Sequence, residues 1–155
     1  MCKLSWSISA VLLIALIAMS YKFIVVGSVE PSDDGRQLLV LEPTERNFVL
    51  AEMRTFLSSV QAITDGISKE DMTQVAEAAL MVGNQAQKIM PGSLIGKLPL
   101  PFKKLGGDTH NKFDELALNA EQLGDPDHSL RQLTELLNNC VECHSIYKID
   151  AAQIN

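Results

Sequence analysis

The chain has 155 residues, with 13 Lys and Arg against 19 Asp and Glu for a formal net charge of -6. That length accommodates one domain of about 120 residues plus a targeting segment, and the acidic balance excludes a nucleic-acid surface, which needs clustered Lys and Arg. Aromatic residues make up only 5% and there is one Trp, while Ala, Leu, Met, Gln and Glu abound, so an all-α fold is expected.

Residues 8–19, ISAVLLIALIAM, form an apolar run preceded by Lys3, the pattern of a secretory signal. The apolar stretch continues to about Gly27, interrupted only by Lys22, and is just long enough to span a bilayer if retained. Residues 1–27 are therefore either a signal peptide or a membrane anchor. Gly27 offers a small residue for cleavage without an A-x-A match, and no lipobox precedes Cys2. Lys3 before the apolar run and EPSDDG (30–35) after it place the domain outside the cytoplasm. Residues 28–43, with Pro31, Gly35 and Pro43 among acidic residues, look like a tether, in which LLVL (38–41) is at most a short packed piece.

From 44 onward the pattern is helical. Val49, Leu50, Met53, Phe56, Leu57, Val60 and Ile63 recur at helical spacing after Pro43-Thr44 until Gly66, which predicts a first helix, A. Ser68 and Asp71 form a capping box for helix B, with Met72, Val75, Ala76, Ala79, Leu80, Ala86 and Ile89 inward and Pro91-Gly92 at its end. PGSLIGKLPLPFKKLGG (91–107) is too rich in breakers for a regular element and predicts a long irregular connection. Asp108-Thr109 then caps helix C, with Phe113, Leu116, Ala117, Ala120 and Leu123 inward and Gly124 as its stop. Asp125-Pro126 opens helix D, with Leu130, Leu133, Leu136, Leu137, Cys140, Val141 and Tyr147. Four amphipathic helices with two short connections and one long one predict an antiparallel four-helix bundle over 44–155.

Cys140-Val141-Glu142-Cys143-His144 is C-x-x-C-H, the attachment sequence of c-type haem. Thiols three residues apart lie on one side of a helical turn and can reach the two vinyl groups of one porphyrin, and the next residue offers an imidazole to the iron. Two other readings stand beside it. A structural zinc site needs four ligands, whereas His110 and His128 are isolated in polar helix starts and read as surface residues. A thioredoxin-like dithiol needs a helix N-terminus, whereas Cys140 lies deep in a helical pattern. With Cys2 alone at the N-terminus, the three cysteines imply no disulfide framework. No nucleophile with a base at motif spacing is present, so no enzyme activity is expected.

On these residues the chain resembles the class II cytochromes c, the cytochrome c′ family. C-x-x-C-H lies in the last helix; it continues as CHSIYK, similar to the family's C-H-x-x-[YF]-[RK] ending, with Tyr147 and Lys148 on the aromatic and basic positions. Helix A carries Arg46, Leu50 and Met53 at the family's spacing of a basic residue, the distal residue and an apolar residue, with the Gly66 break following at the family's distance. GGDTHNKF is similar to the family's entry into the third helix, although Phe113 stands nearest where the family has Trp. The resemblance spans about 43–150. It implies one covalent haem c on Cys140 and Cys143, iron on His144, and a periplasmic electron carrier, soluble or tethered by residues 8–27, with a redox partner protein. Leu50 as distal residue implies an open iron that binds NO or CO as sensor or scavenger; Met53, one turn away, implies a six-coordinate electron-transfer iron. Arg46 is then placed near a haem propionate or at the surface, and a haem enzyme would need a distal acid or base that is not found near Leu50. Family members also form antiparallel dimers through helices A and B, for which Phe56, Met72 and Met81 are the available apolar contacts.

Overall fold

The computed structural model describes residues 2–87 and 90–151, for residues 2–5, 87 and 151 the backbone only; Ile89 of the expected helix B face, the side chains of Cys2 and Lys3, and positions 1 and 152–155 thus lie outside the described residues. The fold is mostly helical, as composition implies, and adds a three-stranded sheet that an all-α expectation does not contain.

Helix α1 (Cys2–Tyr21) runs into a π-helical turn, Lys22–Val26. Within this segment, Trp6–Val26 is long and apolar enough to cross a membrane, and none of these residues is buried. Strands β1 (Val29–Pro31) and β2 (Gln37–Leu41) then pair antiparallel, Val29 opposite Leu39. On its other side β2 pairs in parallel with β3 (Tyr147–Ala151), Gln37 opposite Tyr147. The expected tether over 28–43 is thereby corrected: alternation along QLLVL turns Leu39 and Leu41 inward, both 0% exposed, and burying each contributes about 1.5–3 kcal/mol.

Helix α2 (Pro43–Ser68) starts with Pro43 in its first turn and a reciprocal cap between Glu42 and Glu45. It passes through Gly66 instead of stopping there. A Cβ on Gly66 would lie 2.9 Å from Val75 Cγ2, so the glycine serves close helix packing and not termination. Ser68 bonds back to the Asp65 carbonyl, leaving Asp71 to cap α3 (Met72–Leu80) by accepting the Gln74 N–H. The expected helix B breaks at 81–83 and resumes as α4 (Asn84–Gln87), where the Asp114 carboxylate accepts from the Asn84 backbone and side chain.

The stretch expected to be irregular holds α5 (Gly92–Lys97) and the start of α6 (Leu100–Leu123). Its prolines sit where helices accept them: Pro91 and Pro99 are N-caps and Pro101 is in the first turn of α6. Asp108 and Thr109 are consequently inside α6, Asp108 paired with Lys112 at 2.8 Å and Thr109 bonded to the Leu105 carbonyl. Gly124, at φ +61, closes α6, and Asp125 caps α7 (Pro126–Ile146) through the His128 N–H, as the sequence implies. Tyr147 belongs to β3 and not to the last helix.

Helices α2, α3, α6 and α7 pack on one another around Ile63, Val75, Ala79, Phe113, Leu116 and Leu136. A second core of Leu39, Leu41, Val49, Leu94, Leu98 and Tyr147 joins the sheet to α2 and α5. Leu57, Leu80, Leu123, Leu130, Leu137 and Val141, expected inward, are exposed. Of the apolar residues available for a dimer contact, Phe56 instead stacks on Phe113 at 5.5 Å and Met72 packs on the first core, while Met81 is exposed.

His110 is not a surface residue. It is 3% exposed, with Nδ1 2.7 Å from the Val82 carbonyl and Nε2 3.6 Å from the Glu52 carboxylate. Burial by itself pulls its pKa down, but the Glu52 carboxylate and the Val82 and Gly83 carbonyls outweigh burial, so the net shift is upward from 6.5. The charged imidazole therefore stabilises the fold fully below the unfolded value and loses that contribution as pH rises through the raised folded value. Relative to wild type, His110→Gln is expected to cost most stability below pH 6.5 and progressively less at higher pH, which urea denaturation across a pH series would measure; a cost independent of pH would refute the charged pair.

Candidate functional site

The end of α7 is fixed from two sides. Asn139, 6% exposed, donates from Nδ2 to Asp108 at 2.7 Å and to Thr109 at 3.2 Å, and its Oδ1 accepts from Lys112 at 2.9 Å. This clamp holds on α6 the turn that carries Cys140. One turn later Arg36, from the loop between β1 and β2, donates to the His144 carbonyl at 3.2 Å while Asp34 accepts from its guanidinium at 2.6 Å. Arg36 thus satisfies a carbonyl that the helix end leaves open.

Beside this turn lies a cleft of about 360 Å³ lined by Arg36, Leu50, Met53, Phe102, Cys143, His144, Tyr147, Lys148 and Ile149. Its volume falls within the ~300–1,000 Å³ common for small-molecule and cofactor sites. Leu50 and Met53, three residues apart on α2, line it together with Cys143 and His144 from the end of α7. Tyr147 is 7% exposed and meets Phe102 edge to face at 5.2 Å. Two cations also line the cleft, each ion-paired: Arg36 with Asp34 at 2.6 Å and Lys148 with Asp33 at 3.1 Å.

Six of the eight residues singled out from the sequence meet here: Leu50, Met53, Cys143, His144, Tyr147 and Lys148. Cys140 is half-buried against the first core, and Arg46 lies outside the cleft lining. Arg36, Phe102 and Ile149 line the cleft without any local signal in the sequence. Only tertiary structure brings the β1–β2 loop and the start of α6 to the end of α7.

Both motif thiols are free. Burial raises the pKa of Cys140, and burial together with Cys140 and the Glu142 carboxylate pushes Cys143 up to about 11. At neutral pH both are protonated thiols. Reactive C-x-x-C dithiols are the opposite case, with a thiolate stabilised at a helix N-terminus, whereas these two lie in the last turns of α7, at the negative end of its dipole. Among the described residues, no three His, Cys, Asp or Glu side chains form a metal-binding group. The chain matches no family model, no curated protein and no solved structure.

Proposed function

We propose that the chain is a monohaem c-type cytochrome of the cell envelope, built on an antiparallel four-helix bundle of the cytochrome c′ kind, that transfers electrons and has no enzymatic activity. The observation that carries this reading is the placement of C-x-x-C-H: Cys143 and His144 open onto a cleft with the apolar walls Leu50, Met53, Phe102 and Ile149. Such a cleft suits a flat apolar group with acidic substituents, for which Arg36 and Lys148 would exchange their present partners Asp34 and Asp33. The thiols of Cys140 and Cys143 would carry the thioether links, which requires the half-buried Cys140 to turn from the core, and the His144 imidazole would hold the iron. Bound haem c supplies a one-electron couple whose potential depends on the sixth ligand and on burial. Leu50, Met53, Phe102 and Ile149 would pack against the group, and Arg36 and Lys148 would lie beside its acidic substituents. A periplasmic setting and a redox partner protein follow from the same reading.

A second reading rests on Leu50, which shares the cleft lining with Met53. If Leu50 faces the sixth position, the iron stays open and binds NO or CO; if Met53 does, its thioether closes the site. Optical spectra of the protein matured with a c-type haem system, oxidised and reduced, with and without CO, test both. Haem retained through acid-acetone extraction is expected. A low-spin spectrum indifferent to CO assigns Met53 and electron transfer, and a high-spin spectrum that shifts under CO assigns Leu50 and gas binding. Extractable haem, or no Soret band, rejects the covalent cytochrome.

A further inference from the structure

The junction between the apolar N-terminal helix and the domain is built as part of the fold. The stretch Trp6–Val26 comprises 21 residues, none of them buried. At ~1.5 Å per residue it covers roughly 31 Å, close to the thickness of a bilayer's hydrocarbon core. Trp6, Val11, Leu12, Ile14, Leu16 and Ile17 are each 60% exposed or more, on every side of the helix, so no stripe is reserved for packing on protein.

The exit from this helix is tightly determined. Gly27 is buried at φ +69, and a Cβ there would lie 2.4 Å from the Lys97 carbonyl oxygen and 2.7 Å from Pro99 N. Only glycine fits this conformation at this approach. The next residue, Ser28, donates its N–H to the Lys97 carbonyl at 2.6 Å. Carbonyls at the helix end are met by lysines: Lys22 donates to Gly27 O at 2.9 Å, and Lys103 of α6 donates to Ile24 O at 2.9 Å and to Ile95 O at 3.3 Å. Ammonium groups on terminal carbonyls satisfy both the open acceptors and the helix dipole, as a helix leaving hydrocarbon requires. A removable leader has no need of such joints with α5 and α6.

We propose that the N-terminal apolar helix stays on the mature chain as a membrane anchor, rigidly joined to the domain, with the bilayer as its partner. The segment bonded to its last turn, α5 and the start of α6, then lies at the lipid surface. There Ile95, 46% exposed, meets the interface, and exposed Lys104 reaches the headgroups. The proposal does not depend on what the cleft binds.

Intact-mass analysis of the full chain produced in a bacterial host, after separating membranes and washing them with carbonate, tests it. Retention in the membrane with the whole apolar helix present is expected. A soluble chain beginning at or after Ser28 overturns the proposal. The joint itself is tested by hydrogen exchange on the full chain in nanodiscs: the Ser28 amide is expected to be protected, and Gly27→Val to speed its exchange by about tenfold or more while α7 amides stay unchanged. Free-chain exchange at Ser28 in the unaltered protein overturns the rigid joint.

Discussion

The double variant Cys140→Ala/Cys143→Ala is expected to lose essentially all covalently held haem, and each single variant to keep one thioether link. The reduced pyridine haemochrome spectrum separates these states, because each thioether replaces a vinyl group in the chromophore. Half-buried positions at the end of a helix tolerate this small truncation at about 1 kcal/mol, so far-UV ellipticity is expected to persist. His144→Ala removes the proposed iron ligand and leaves both thiols in place; haem is expected to stay attached with an altered spectrum. Two features let this experiment discriminate. Burial raises both thiol pKa values, that of Cys143 to about 11, the opposite of the lowered values of reactive dithiols. The other cleft-lining residues are mostly apolar or aromatic, and the two cations among them, Arg36 and Lys148, are paired with Asp34 and Asp33. A double variant that still carries covalent haem, or a wild type that never acquires it, would remove the cytochrome reading.

What the sequence makes legible is local. Helix α7 follows from Asp125-Pro126 and its apolar spacing, and C-x-x-C-H is complete within five residues. Leu50 and Met53 are likewise recognisable as one helical face, and the structure turns that face to the cleft. The sheet is not legible, because β2 is a five-residue strand whose parallel partner β3 follows the last helix. No periodicity relates Leu39 to Ile149. Prolines mislead for a different reason: Pro99 and Pro101 break helices in their interiors but are compatible with the beginning of α6. His110 looks polar in context because the groups that bury it, Glu52 and the Val82 carbonyl, come from α2 and from the turn after α3. Arg36 reaches His144 across 108 residues of chain, a contact that only the sheet creates.

The same sheet leads to the largest expected stability effect. Leu39→Ala is expected to destabilise the fold by about 2–5 kcal/mol, the range for truncating a fully buried leucine. A tether would tolerate the change at no measurable cost, so chemical denaturation separates the two pictures directly. Leu39 is 0% exposed and belongs to the core that also holds Tyr147, with Met53, Phe102, Cys143 and Ile149 packed against it. Its loss therefore acts on the cleft as well as on the strand: β3 supplies Tyr147, Lys148 and Ile149 to the lining, and β3 is held by β2. Leu38→Ala, one residue away and only half-buried, is expected to cost well under half as much, since alternate residues of a strand point to opposite faces. Equal costs at the two positions would argue against the strand register, and a near-zero cost at Leu39 would return residues 28–43 to the role of a tether.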